Sequence, residues 1–166
     1  VALDNTVMPA KNREEKVNFQ RKVAVLQGEI SEYSNKLTEI KNKMPYILNA
    51  IKKSEKSADF ALSDYININN KIKEIEKIFL GDSVKSRLDI QAVPTPSTRI
   101  GMIGYYQKYS TADPTITHQK SFEIAKEEFM PIKSMIEDLK VMVKKLEEFL
   151  KANNAPYTPG RPKAKN

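Results

Sequence analysis

The chain has 166 residues, with 28 Lys and Arg against 21 Asp and Glu (net charge +7), no cysteine, no tryptophan and one histidine. That composition excludes a disulfide scaffold, a cysteine-ligated zinc or iron–sulfur site, and any metal site needing two histidines. No run reaches the roughly 18 uninterrupted apolar residues of a membrane span. Nor is the basic excess gathered on one helix, as nucleic-acid domains gather it. Residues 155–166 hold Arg161, Lys163 and Lys165 without an acid, so the rest of the chain carries only +4. Ile occurs 16 times, Lys outnumbers Arg 23 to 5, and Asn occurs 12 times. AT-rich codons produce that joint bias, which makes the net charge a weak guide to a partner. The sequence begins Val1-Ala2-Leu3, as expected of a processed chain or a piece of a longer one. It shows no basic start followed by an apolar run.

Residues 1–9 form an irregular lead-in ending at Pro9. Then Phe19, Val23, Leu26, Ile30, Tyr33, Leu37, Ile40, Met44, Ile47 and Ile51 follow at alternating spacings of four and three. This is a heptad stripe, and it predicts a helix over about 10–54 with one narrow apolar seam. Pro45 lies inside the stripe without shifting its phase, so a kink is expected there rather than a break. Lys52-Lys53-Ser54-Glu55-Lys56-Ser57 reads as the hairpin turn. A second helix is predicted over 58–80 from Ala61, Tyr65, Ile68, Ile72, Ile75 and Phe79, with Gly81 as its C-cap.

Residues 81–113 break the pattern. Val93-Pro94-Thr95-Pro96-Ser97 is expected to be extended, because a residue before proline avoids the helical region. The apolar run to Gln107 suits a short helix capped by Ser97 or Thr98. The whole segment is expected to cover one side or end of the bundle, since a structureless loop of this length is improbable. Asp113-Pro114 reads as N-cap and N1 of a last helix over 114–152. Phe122, Ala125, Phe129, Ile132, Ile136, Leu139, Val143, Leu146 and Leu150 repeat the heptad spacing there, and Pro131 sits inside it. Asn153-Asn154 end this helix, and the proline-rich basic tail 155–166 cannot continue it. The expected fold class is all-α: an elongated up-down-up bundle over residues 1–154, with coiled-coil-like packing. At 1.5 Å per residue the last helix would be roughly 55 Å long. The stripes can be satisfied inside one chain or shared in a homo-oligomer.

The candidate chemistry is sparse. His118, without a second ligand, reads as a surface or capping residue. Glu14-Glu15, Glu127-Glu128 and Glu147-Glu148 lie mostly off the stripes, and adjacent helical carboxylates diverge by about 100°, which suits solvated faces. Lys52, Lys53 and Lys56 suit a solubilising turn, and no phosphate-binding glycine loop is present. Tyr105, Tyr106 and Tyr109 gather beside Arg99 and Lys108. They either pack the covering segment inward or form a protein interface, where tyrosine and arginine are enriched.

The C-terminal part carries more specific signals. They are Thr95-Pro96-Ser97-Thr98-Arg99-Ile100-Gly101, then Asp113-Pro114-Thr115, Phe129-Met130-Pro131-Ile132 and Asn154-Ala155-Pro156-Tyr157-Thr158-Pro159-Gly160-Arg161. Together they resemble the C-terminal helical region of large bacterial β-propeller proteins with sialidase-type (BNR) repeats. These are related to the sortilin/VPS10 propeller and often labelled glycosyl hydrolases. Tyr157 stands where tryptophan is more usual in that family. The propeller signature Ser-x-Asp-x-Gly-x-x-Thr-Trp is absent, so the resemblance transfers no catalytic residue, cofactor or metal site.

What the resemblance implies is a non-catalytic accessory domain of a secreted or periplasmic protein, packed on the parent's propeller. The expected contact residues are Arg99, Tyr105, Tyr106, Tyr157 and Arg161. The alternative is a stand-alone helical adaptor that binds a partner helix or an anionic surface.

Overall fold

A computed structural model describes residues 11–54, 58–81 and 93–156, together with Arg87 and Pro159. Among the described residues 85% are helical and none lies in a strand, so the fold is an all-α helical bundle. The helices are α1 (Arg13–Lys52), α2 (Ala58–Phe79), α3 (Pro96–Tyr109) and α4 (Ile116–Ala152).

The heptad stripes form the core. Every stripe residue of α4 is buried, and so is every one of α1 and α2 except Tyr33 and Tyr65, which are half-buried. α1 runs unbroken through Pro45 and α4 through Pro131. Both prolines are exposed, so the carbonyls deprived of a helical donor are on the side where water can serve them.

The helix ends are set by local hydrogen bonds. Asn12 caps α1: its Oδ1 accepts from the Glu15 N–H (3.2 Å), while its Nδ2 donates to Glu15 Oε2 (3.5 Å), a reciprocal arrangement akin to a capping box. α2 gives way to Gly81 at φ +98°, a conformation that costs glycine little. Asn154 closes α4 at φ 54°. There the Ala155 N–H bonds Leu150 O (2.9 Å) and the Asn154 N–H bonds Lys151 O (3.2 Å). These are the two bonds of a Schellman motif, with Ala155 and Leu150 both buried beside it.

Two expected boundaries are corrected. Asp113-Pro114 does not start α4. The Asp113 carboxylate instead accepts from the backbone N–H groups of Lys11 (2.9 Å) and Asn12 (3.4 Å) at the start of α1. Thr115 caps α4, its Oγ1 accepting from the His118 N–H at 3.2 Å. The short helix is capped by Thr95, not by Ser97 or Thr98. Pro96 fits the first helical position because its φ is already helical and no N–H is needed there; the Thr95 hydroxyl accepts from the Thr98 N–H at 3.3 Å.

The described residues form two compact units, one within 1–32 and 78–132, the other within 33–77 and 133–166. In the first, the N-terminal parts of α1 and α4 run parallel, with Phe19 edge-on to Phe122 (centroids 5.8 Å apart). α3 runs against them: Gln20 and Lys16 of α1 bond the carbonyls of Gln107 (3.1 Å) and Ser110 (2.7 Å). Phe79 stacks on Phe129 at 5.6 Å. In the second unit α1 and α4 are again parallel, linked by Lys36–Glu137 at 3.4 Å. Here α2 is the antiparallel leg, with Lys41–Glu76 at 2.6 Å and Phe60 against Phe149 at 5.3 Å. Each unit is therefore an up-down-up trio, with α3 the descending leg in one and α2 in the other.

Candidate interaction face on α3

α3 has two different sides. Pro96, Ile100, Ile103 and Gln107 are buried at spacings of four, three and four. They are what fastens the segment to its unit. The opposite side exposes Met102 (50%), Tyr105 (63%), Tyr106 (49%) and Tyr109 (68%). Tyr105 and Tyr109 thus do not pack the segment inward; the two isoleucines take that role, and Tyr106 is only half turned toward α4.

The rings are ordered against one another. Tyr105 lies 4.8 Å from Tyr109 and 5.9 Å from Tyr106, centroid to centroid. The first pair is spaced i, i+4, which brings side chains together on a helix surface. Lys108 Nζ sits 5.5 Å from the Tyr109 centroid. Tyr106 also stacks on the His118 ring of α4, at 5.7 Å and 22°. His118 Nδ1 is 3.3 Å from Gln107 Nε2. His118 is therefore a half-buried brace between α3 and α4. Gln107 is 5% exposed, and its Oε1 has no partner among the described residues.

Arg99 stands apart from the rings. It lies two turns before Tyr106, and its Nε is 3.4 Å from Glu128 Oε2 on α4. Its side chain is only 18% exposed, so much of its donor capacity faces the chain's own α4. Of the residues expected to make contacts, the structure brings Tyr105 and Tyr106 together and adds Tyr109. Arg99 is turned toward Glu128 of α4. Tyr157 and Arg161 lie outside the described residues. Among the described residues no group of three His, Cys, Asp or Glu could hold a metal ion, and no helix is long and apolar enough to cross a membrane.

Comparison with protein-family models, with curated proteins and with solved structures finds no match.

Proposed function

We propose that this chain is a non-catalytic interaction domain that packs, through the tyrosine side of α3, against a sialidase/sortilin-like β-propeller of the same secreted or periplasmic polypeptide. The observation that carries the proposal is the three-tyrosine surface, half to two-thirds exposed on a helix whose other side is locked by Ile100, Ile103 and Gln107. Clustered exposed aromatics mark interaction surfaces, and tyrosine loses little conformational entropy on being buried in one. The choice of a propeller as partner rests on the resemblance of residues 95–101, 113–115, 129–132 and 154–161. Tyr157 and Arg161 join the contact on sequence grounds.

The test has two parts. The complete open reading frame is expected to encode BNR-type repeats; a frame without them overturns the choice of partner. Calorimetric titration of the chain with that propeller is then expected to show binding. Replacing Tyr105 and Tyr109 by alanine should weaken it by about 2 kcal/mol or more, about thirtyfold in Kd. Unchanged affinity in that variant, with helicity retained, rules out the α3 surface.

A further inference from the structure

In the first unit a groove of about 880 Å³ runs between the N-terminal parts of α1 and α4. Its floor is the Phe19–Phe122 ring pair, flanked by the exposed Ile124. Glu14 and Glu15 of α1 line it from one side, Glu123 and Glu127 of α4 from the other. Among the described residues Lys22 and Lys120 are its only basic lining residues, so the described lining carries −2 in a chain of +7. None of the four glutamates lies within 4 Å of a described lysine or arginine as an ion pair. The lining lysines offset only half of this acidic charge, and of the four carboxylates only Glu15 has a local task, in the Asn12 cap; the phenylalanines hold α1 and α4 together without them. The carboxylates form a field that favours a cation, on a surface that favours an apolar contact.

We infer that this groove docks a cationic amphipathic helix of another polypeptide. The helix would lay its apolar stripe over Ile124 and the exposed edges of Phe19 and Phe122, and set lysines or arginines against the two glutamate rows. The pattern of an apolar seam with acidic flanks on both sides is complementary to an apolar stripe with basic flanks, as in helix-in-groove recognition. Glu123 and Glu127 are one turn apart, matching basic residues spaced i, i+4 on the incoming helix. The lining runs from Asn12 to Lys22 on α1, about 15 Å at 1.5 Å per residue, so the occupant needs about three turns. This surface is separate from the α3 tyrosines, and the inference does not rest on the proposed propeller contact.

The probe is a fluorescein-labelled 14-residue helical peptide of leucines at heptad spacing flanked by lysines, with a glutamate-for-lysine counterpart as control. Anisotropy titration of the whole chain is expected to show binding of the lysine peptide only. Raising salt from 50 to 500 mM should weaken it about tenfold or more. The double variant Glu123→Lys, Glu127→Lys should abolish binding. A variant with the same charge change elsewhere, Glu74→Lys with Asp138→Lys, should retain it within about threefold once long-range attraction is screened. Far-UV circular dichroism checks that both variants stay helical. Absence of binding, or equal losses in the two variants, overturns the inference. So does a self-associated wild-type chain that the Glu123→Lys, Glu127→Lys change turns into monomer, because the groove would then belong to a second copy.

Discussion

Glu147 offers a prediction whose sign runs against the usual effect of substitution. It sits on α4 of the second unit at 7% exposure, and its Oε1 is buried without a hydrogen-bond partner among the described residues. A buried acceptor left unpaired costs about 1–3 kcal/mol, more when charged. Methionine has similar length and volume and no such atom, and it adapts to irregular space. Allowing for imperfect packing of the new side chain, Glu147→Met is expected to stabilise the chain by about 1–2 kcal/mol. For a chain of this size that corresponds to a Tm rise of about 2–8 °C. Glu147→Gln, which removes the charge and keeps an oxygen, should fall between wild type and Glu147→Met. The assay is urea denaturation at pH 7 followed by circular dichroism, with the slope checked for constancy. A loss of 1 kcal/mol or more in Glu147→Met would refute the reasoning, because it would mean that Oε1 has a partner in solution.

Three further expectations test other parts of the fold. Phe79 and Phe129, stacked at 5.6 Å and both under 2% exposed, should each lose about 1–2 kcal/mol on change to leucine. A double-mutant cycle should show about 0.5–1.5 kcal/mol of coupling; additive losses mean the rings do not meet. Asp113→Ala should cost about 1 kcal/mol. Hydrogen exchange should quicken at the start of α1, around Lys11 to Lys16, more than around 116–119; the reverse pattern would restore Asp113 as the cap of α4. The third concerns Glu137, whose carboxyl is held below the usual range, first by the hydrogen bond from Lys140 and then by Lys36. A depressed carboxylate stabilises the fold above its unfolded pKa and loses that contribution as pH falls through the folded value. The side chain is 45% exposed, so Glu137→Gln should flatten the acid limb of the stability curve by under about 1 kcal/mol. Identical acid limbs would show that the two lysines do not act on it.

The heptad helices were legible because spacings of three and four repeat over many intervals, and one buried side is the only way to dry such a seam. Tyr33 was the exception in α1. Its ring stays half-buried with Lys36 Nζ 4.0 Å and Lys133 Nζ 5.6 Å from the centroid, a use of the ring that spacing alone does not reveal. α3 was harder. Its buried stripe has four members, and two of them, Pro96 and Gln107, are not residues a hydrophobic pattern would count. The isoleucines and tyrosines make both sides of that helix apolar, so sequence left open which side faced inward. Asp113-Pro114 misled for another reason. Local cap signals cannot show that the acceptor is used by N–H groups 101 and 102 residues away. The α1–α4 groove was equally hidden, since adjacent glutamates read as ordinary solvated faces until the two helices are seen side by side.

The parallel pairing of α1 with α4 has a kinetic consequence. Its contacts, Phe19–Phe122 and Lys36–Glu137, join residues 103 and 101 positions apart, whereas Lys41–Glu76 of the α1–α2 pair spans 35. Helical bundles fold fast when their contacts are local; here the α1–α2 hairpin is local, and so is the α3–α4 pair, whose contacts join residues 11 and 29 positions apart. During synthesis the hairpin can form while the rest is still being made, yet neither unit has its third helix until α4 emerges. Until then the part of the α1 seam that α4 covers is open to whatever else is nearby, and α4, which follows the other three in chain order, is the helix that closes both units.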